Sequence, residues 1–392
     1  MASLGGLAGY LVGYNRGELS VQEAGLAPIR DGVMGHTDVK SASPTLDQLS
    51  ALGYIEGIED AAEYAGVYLH HTDRVQPGVN FYSPSSLPGA VLVDMSGTVL
   101  HTWTAGVDPW SHATLLPDGS VIVLINDRGL MRVSVDSQIQ WRWSGRAHHD
   151  LDMLSDGGMV VLTHERRILS AIHPTTPVLS DDLTFLDADG SVTDTLCLET
   201  LLLDSPWRAI LPSVRHQPTE ETPLELLHSN HVEVLDGTLA ARSPLYAAGN
   251  LLVSMRNINA VAIIGGESRQ IEWLWGPGNL TFQHHPTLLS DGRILIFDNG
   301  LERSRVLSVD PLTNAIDWEY VADDFFTQNR GSSQRLANGN TLITESDSGY
   351  VFEVTPDGER VWAFANPVMS GPIRTAIWRM LRVDRGSLTF LE

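Results

Sequence analysis

The stretch Gln283-His284-His285-Pro286-Thr287-Leu288-Leu289-Ser290-Asp291-Gly292-Arg293-Ile294-Leu295-Ile296-Phe297-Asp298-Asn299-Gly300 decides the fold. Two histidines lead into an apolar run, an Asp-Gly pair reverses the chain, and a second apolar run stops at Asp-Asn-Gly. Asp-Gly accepts the positive φ of a tight turn, so the stretch reads as a β-hairpin with polar side chains where its first strand begins. The plan recurs elsewhere. Leu116-Pro-Asp-Gly119, Leu154-Ser-Asp-Gly157, Ala247-Ala-Gly-Asn250 and Leu336-Ala-Asn-Gly339 each precede an apolar run, with clean turn-to-turn intervals of 38, about 43 and 47 residues.

A second strand pair follows in most units and ends in tryptophan, at Trp103, Trp141, Trp273, Trp318 and Trp362. Four strands per unit, this period and a closing Trp predict an all-β chain, a six-bladed β-propeller over 66–392. The tryptophans read as packing between blades. Blades are expected near 66–104, 112–143, 149–200, 231–276, 285–321 and 332–364, with 377–383 closing the ring against the first. Residues 200–228 contain Pro206, Pro212, Pro218 and Pro223, break the period, and read as an insertion over one face.

Residues 1–65 read as a short helical N-terminal arm. Leu46, Leu49 and Leu52 keep helical spacing up to Gly53, and Ile55 to Tyr64 continues the pattern. Met1 to Tyr14 is apolar and Gly-rich but too short to span a bilayer. It reads as the tail end of a membrane anchor or as an ordinary terminal segment. With 43% hydrophobic and 19% charged residues the chain can bury a large core. A net charge of −23 argues against a nucleic-acid partner and reads as a solvated acidic surface. Cys197 is the single cysteine, so no disulfide forms within the chain and no cysteine metal site is expected. It reads as a small buried apolar side chain.

First strands line the channel of a propeller, so polar residues just before each turn should converge at one mouth. The chain supplies Ser111-His112, Ala147-His148-His149-Asp150, His228-Ser229-Asn230-His231, Gln283-His284-His285 and Gly331-Ser332-Ser333-Gln334 there. His149 and His284 both stand seven residues before the Asp of their turn. Arg256 ends the second strand of the fourth unit, where a guanidinium can grip an oxyanion bidentately. Three histidines suffice for zinc, but the His-Glu-x-x-His spacing is absent and the histidines lie on separate strands. No Gly-x-Ser-x-Gly elbow is present. No metal and no cofactor are expected. Transfer of an anionic group through a histidine fits better, with one imidazole attacking and Arg and Asn holding charged oxygens.

In order along the chain come His228-Ser-Asn-His231, Ser254-Met-Arg256-Asn-Ile-Asn259, Trp273-Leu-Trp-Gly276, Gln283-His284, Phe297-Asp-Asn-Gly300, Asn338-Gly-Asn-Thr-Leu-Ile-Thr344 and Gly349-Tyr-Val-Phe-Glu353. This series, over about 90–367, resembles the bacterial arylsulfotransferases, the PAPS-independent aryl-sulfate sulfotransferases. The resemblance implies a six-bladed propeller that moves a sulfuryl group from an aryl sulfate to a phenol by a ping-pong route through a sulfohistidine. It implies a periplasmic or otherwise extracytoplasmic setting, with membrane attachment through an N-terminal anchor left open. By motif, His284 is similar to the sulfated nucleophile. His228 and Asn230 match the His-x-Asn pair, Arg256 the arginine ending a nearby strand, and His149 a further active-site histidine. His231, His285, Ser332 and Ser333 stand beside them as substrate-binding candidates. Ser332, Ser333 and Thr344 are candidates for the family's threonine.

Longer members have a disulfide and a separate N-terminal β domain. Neither is read in this sequence, which looks like a shorter branch, and transfer against hydrolysis stays open. Two other readings stand beside it. One is a non-catalytic propeller that binds a partner. The other is a quinoprotein-like dehydrogenase, suggested by Asp310-Pro-Leu-Thr-Asn-Ala-Ile-Asp-Trp318 but without paired cysteines or a calcium-binding carboxylate group. Oligomeric state is open.

Overall fold

The apolar runs after the Asp-Gly and Asn-Gly turns form strands covered on both faces. A computed structural model describes residues 57–59, 64–85, 87–211 and 223–391. In it Val121–Ile125, Leu251–Met255 and Ile294–Asp298 are buried along their whole length, as expected of strands sandwiched between neighbouring sheets. The turns before such strands use the freedom of glycine: Gly119, Gly157, Gly292 and Gly339 take φ of 80°, 89°, 84° and 89°.

Among the described residues the main architecture is six antiparallel sheets of four or five strands. The first joins Ile377–Val383, from the far end of the chain, to Val79–Pro84, Gly89–Val93 and Val99–Thr104. The second runs His112–Leu115, Val121–Ile125, Gly129–Val133 and Ile139–Trp143, and the third Ala147–Met153, Met159–Arg167, Val178–Leu186 and Val192–Cys197. The fourth holds Ser229–Val234, Leu251–Met255, Ala260–Ile264 and Ile271–Trp275, and the fifth His284–Leu288, Ile294–Asp298, Arg305–Asp310 and Ala315–Val321. The sixth is Ser332–Arg335, Thr341–Glu345, Tyr350–Val354 and Arg360–Ala365, with Gly66–His70 on its outer edge.

The core lies between sheets. Phe81 and Trp103 pack on Val121 and Met131 between the first and second sheets. Leu124 meets Val161, Leu162 meets Val253, and Leu252 meets Ile296. Phe297 meets Ile343, and Trp362 returns to Tyr82 and Met380 of the first sheet. The packing order is therefore cyclic. Tryptophans near the end of the fourth strand latch five of the six sheets, the third being the exception. Trp103, Trp141, Trp318 and Trp362 donate indole N–H to backbone carbonyls of Gly119, Asp189, Pro356 and Met95, and Trp273 donates to the Asn314 side chain. Each acceptor lies in a turn of the next sheet, so the indole supplies apolar area and one directional bond. Replacing a buried Trp such as Trp362 by Ala costs about 3–5 kcal/mol.

Two placements differ from the sequence reading. Gly66–His70 does not open the first sheet; it pairs with Arg360–Ala365 of the sixth. Local pattern identifies a strand but carries no record of its partner. Within the expected helical arm, Gly57–Glu59 is a strand paired with Ile373–Thr375. A Cβ on Gly57 would fall 1.8 Å from the Arg374 carbonyl oxygen, a closeness only glycine allows. Residues 1–56 and 60–63 of the arm, with the 43–53 helix and the anchor-like start, lie outside the described residues. Of the 200–228 segment, the structure describes a helix at Leu198–Leu203, a 3₁₀ turn at Arg208–Ile210 and the approach from 223; residues 212–222 lie outside. No helix among the described residues is long and apolar enough to cross a membrane.

Candidate functional site

The first strands of the third, fourth and fifth sheets do not start as regular strands. Their pairing slips between Ala147 and Leu151, between Ser229 and His231, and between His284 and Thr287. His149, His228 and His285 there adopt φ of 58°, 49° and 47°. Left-handed backbone at a non-glycine costs about 1–3 kcal/mol, and such bulges re-aim side chains. Here the imidazoles of His149 and His285 line one cavity. It is lined by Ser111, His112, His149, Asn230, His284, His285, Arg330, Gly331, Trp378 and Arg379, and its empty space, counted together with the solvent at its mouth, is about 400 Å³.

His284 is the best-defined group. Asn299 donates its amide N–H bonds to the carbonyls of Thr327 (2.8 Å) and Arg330 (2.7 Å), which leaves Oδ1 to face the imidazole. His284 Nδ1 lies 2.7 Å from that oxygen and 2.9 Å from the Phe282 carbonyl. Both are acceptors, so Nδ1 carries the proton and Nε2 keeps its lone pair. Nε2 is buried and makes no hydrogen bond. Burial first, and then the Arg256 charge, push the His284 pKa down to about 3 against the pull of the Asn299 bond, so the ring is neutral near pH 7.

Gln283 holds the strand in place. Its side-chain amide donates to Ser254 Oγ (3.0 Å), the Met255 carbonyl (3.3 Å) and the Ala260 carbonyl (2.9 Å). Its own carbonyl accepts from Asn230 Nδ2 at 2.9 Å, leaving Asn230 Oδ1 buried and without a partner beside the cavity. His149 reaches the cavity with Nδ1 2.8 Å from Nδ1 of His148, and its ring lies edge-on to His228 at 4.8 Å. Burial, with His228, His148 and His284 adding to it, keeps His149 well below the usual histidine range.

Four of the nine sequence candidates line the cavity: His149, Asn230, His284 and His285. His228 stands behind His149, bonded through Nδ1 to Glu225 at 2.7 Å. Arg256 is buried in the 3₁₀ turn after Leu251–Met255, stacks over the Phe282 ring at 4.2 Å, and bears electrostatically on His284 and His149 without lining the cavity. His231 lies under His285, ring to ring at 4.8 Å. Ser332 and Ser333 are buried in the sixth sheet with hydroxyls that make no hydrogen bond, and the Ser333 carbonyl accepts from His285 Nδ1 at 3.0 Å. Thr344 Oγ1 accepts the Met380 amide N–H at 3.2 Å. Cys197, read as buried, is half-buried and leans on Glu199.

Six further residues had no role of their own in the sequence reading, although Asp150 and Gly331 stood among those expected at the mouth and Asn299 in one of the family motifs. Asn299 orients His284. Asp150 is a buried hub that bonds His231 Nδ1 and Arg379 (3.1 and 3.4 Å) and lies 3.4 Å from His112 Nε2. Burial opposes its charge, yet Arg379, His231 and His112 hold its carboxyl well below the usual range. Arg330 and Gly331 precede the first strand of the sixth sheet, and Trp378 and Arg379 come from the closing strand. A Cβ at Gly331 would sit 2.3 Å from the Phe297 ring. The only signal for Arg330 was its place before Ser332, the register of the histidines in other units. Arg379 carried none. Among the described residues no group of three or more His, Cys, Asp or Glu is arranged to hold a metal ion.

Comparison with known proteins gives low-identity similarities to solved structures and a family. A protein of unknown function from Bacteroides caccae is 13% identical, with TM-score 0.48, covering 78% of this chain and 100% of its own. A streptogramin B lyase is 12% identical, with TM-score 0.47, covering 84% and 98%. The β-propeller domain of Cps50 (Swd1) from Myceliophteria thermophila is 10% identical, with TM-score 0.46, covering 84% and 89%. No curated protein matches the sequence. A sequence model of the Arylsulfotransferase (ASST) family, however, matches residues 112–367, well over half of the chain and the whole run from His112 through the sixth sheet, and the protein belongs to that family.

Proposed function

We propose that this chain is a six-bladed β-propeller enzyme that transfers a sulfuryl group from an aryl sulfate to a phenol, without PAPS, through a sulfohistidine at His284. Family membership supports sulfotransferase activity in general. The observation that carries the finer reading is the imidazole of His284, a cavity-lining residue: tautomer held by Asn299 and the Phe282 carbonyl, ring neutral, and Nε2 buried without a hydrogen bond. A neutral imidazole with a committed Nδ1–H is a nucleophile.

The Nε2 lone pair attacks sulfur in line, the N–S bond forms, and the S–O bond to the aryl group breaks with its electron pair leaving on the phenolate. The His149 side supplies hydrogen bonding to the leaving oxygen and, being kept neutral by burial, can take a proton in the second half-reaction. The acceptor phenol then loses its proton to the same side, its oxygen attacks sulfur, and the N–S electron pair returns to Nε2. As in phosphoryl transfer, a loose transition state asks mainly for positioning and charge stabilisation. Arg256 supplies positive charge at His284, and Asn230 and His228 complete that side.

The test mixes the protein with 4-nitrophenyl sulfate, with and without phenol, and follows nitrophenolate beside intact mass. Acceptor-dependent release, with a sulfuryl adduct absent from His284→Ala, is expected. Acceptor-independent release would replace transfer by hydrolysis, and an adduct that survives His284→Ala would move the nucleophile elsewhere.

A further inference from the structure

The ring order divides the cavity. His149, Asn230, His284 and His285 come from the third, fourth and fifth sheets, whereas Arg330, Trp378, Arg379, Ser111 and His112 come from the sixth, first and second. The second group has no part in sulfuryl transfer as proposed above. It nevertheless brings two guanidiniums to the wall of one small cavity, in a chain with 48 acidic and 25 basic residues. An anion approaching so acidic a surface is repelled overall, so local cations must decide what enters.

Both guanidiniums are fixed in ways suited to anion binding. Arg330 lies 4.2 Å over the Trp378 ring and 3.5 Å from Asp347. Asp347 in turn spends its other oxygen on the backbone N–H groups of Gln328 (3.0 Å) and Asn329 (2.9 Å). Arg379 uses its two terminal nitrogens on Asp150, whose charge is shared with His231 and His112. Each carboxylate is thus partly neutralised by donors of its own, and each guanidinium still borders the cavity. A guanidinium has five N–H groups, so a bond to Asp150 does not exhaust Arg379. Ser111 adds a small polar side chain, and Trp378 an aromatic surface next to both cations. The Arg330 carbonyl also accepts from Asn299, the residue that orients His284. Occupancy of this half is therefore mechanically next to the nucleophile.

We propose that the half of the cavity formed by Arg330, Trp378 and Arg379 is a carboxylate subsite, which makes aromatic carboxylates bearing a phenolic oxygen or its sulfate ester the preferred substrates. The aryl ring lies by Trp378, the ring carboxylate pairs with the two guanidiniums, and the oxygen that gives or takes the sulfuryl group points to His284. Charge-assisted bonds to Arg, made where water is scarce, supply the discrimination, and a neutral analogue leaves the guanidiniums less well solvated. The proposal rests on the sulfotransferase reading for the word substrate; the subsite itself does not need turnover.

The experiment is therefore a binding titration at pH 7 with 4-hydroxybenzoate and with its neutral analogue 4-hydroxybenzyl alcohol, followed by calorimetry. The carboxylate is expected to bind at least tenfold more tightly, with the ratio falling to about twofold in Arg330→Gln and Arg379→Gln. Arg379→Lys keeps the charge that Asp150 needs, and should retain part of the preference. It also covers the case in which Arg379→Gln does not fold. Equal affinity of the two ligands for the parent protein, or a preference left undiminished in folded Arg330→Gln and Arg379→Lys alike, would overturn the subsite. Failure of nitrophenyl sulfate turnover with the carboxylate preference intact sinks only the transfer reading, and turnover without the preference sinks only the subsite.

Discussion

The two halves of the cavity use histidine in opposite ways. On the side of the fifth sheet, His284 is given a neutral amide and a carbonyl as Nδ1 partners, and its Nε2 is left unpartnered. Where the third and fourth sheets meet the first, His231 and His112 gather around the Asp150 carboxylate together with Arg379. An amide fixes orientation without adding charge, whereas a carboxylate sets a negative charge beside the ring, outweighed at His112 by burial, which keeps that imidazole neutral near pH 7. The first arrangement preserves a nucleophile; the second makes a charged truss between the third, fourth and first sheets. The partner of Nδ1, more than the histidine itself, separates chemistry from architecture.

Removing the centre of each half tests this contrast most directly. His284→Ala is expected to lower turnover by roughly 10⁴-fold or more while thermal unfolding stays near the parent, as for a lost nucleophile. Turnover within tenfold of the parent would end the distinction. Asp150→Asn should do the reverse. Breaking a buried charge network on one side costs about 3–5 kcal/mol in urea unfolding. Because the folded carboxyl is held well below its usual range, that contribution is present above the unfolded value near pH 4 and is lost as pH falls through the folded one. The deficit of the variant should therefore be full at pH 7 and shrink below about pH 4.

Arg256→Ala removes charge next to His284 without touching the Asp150 truss, and a rate loss of about 10²–10³-fold is expected at matched fold. Comparable rates would show that Arg256 only packs on Phe282. Asn299→Asp converts one Nδ1 environment into the other. The new carboxylate favours the imidazolium, so the His284 pKa should rise, and the acid limb of the rate profile should move to higher pH by about one unit or more. An unmoved limb would mean that Asn299 has no hold on the nucleophile.

The smallest effect is collective. His284 and His112 are pushed to about 3 and about 4 by burial, with Arg256 adding to the first and Arg379 and His231, against Asp150, to the second. A histidine depressed in the folded state stabilises above its unfolded value near 6.5 and withdraws that stability as pH falls below it. Each should cost about 2 kcal/mol between pH 6.5 and 5. His284→Gln should flatten the profile by one histidine's share, measured as urea midpoints across that range.

The sequence by itself determined the β class, the turns and the histidine-bearing stretches. Asp-Gly and Asn-Gly chemistry, alternating apolar runs and closing tryptophans are local properties, readable a few residues at a time. His149, His284 and His285 could be singled out for the same reason, since their distance to a turn is counted along the chain. Three things were decided only by tertiary structure. Gly66–His70 joined the sixth sheet because register and partner are set by packing across the ring. Asn299 became the orienting residue because two distant carbonyls, of Thr327 and Arg330, fix its amide. Arg379 met Asp150 across 229 residues of chain because the last strand closes on the first sheet. Contacts of that span leave no periodic trace in sequence, since what selects them is the cost of leaving a buried charge unpaired.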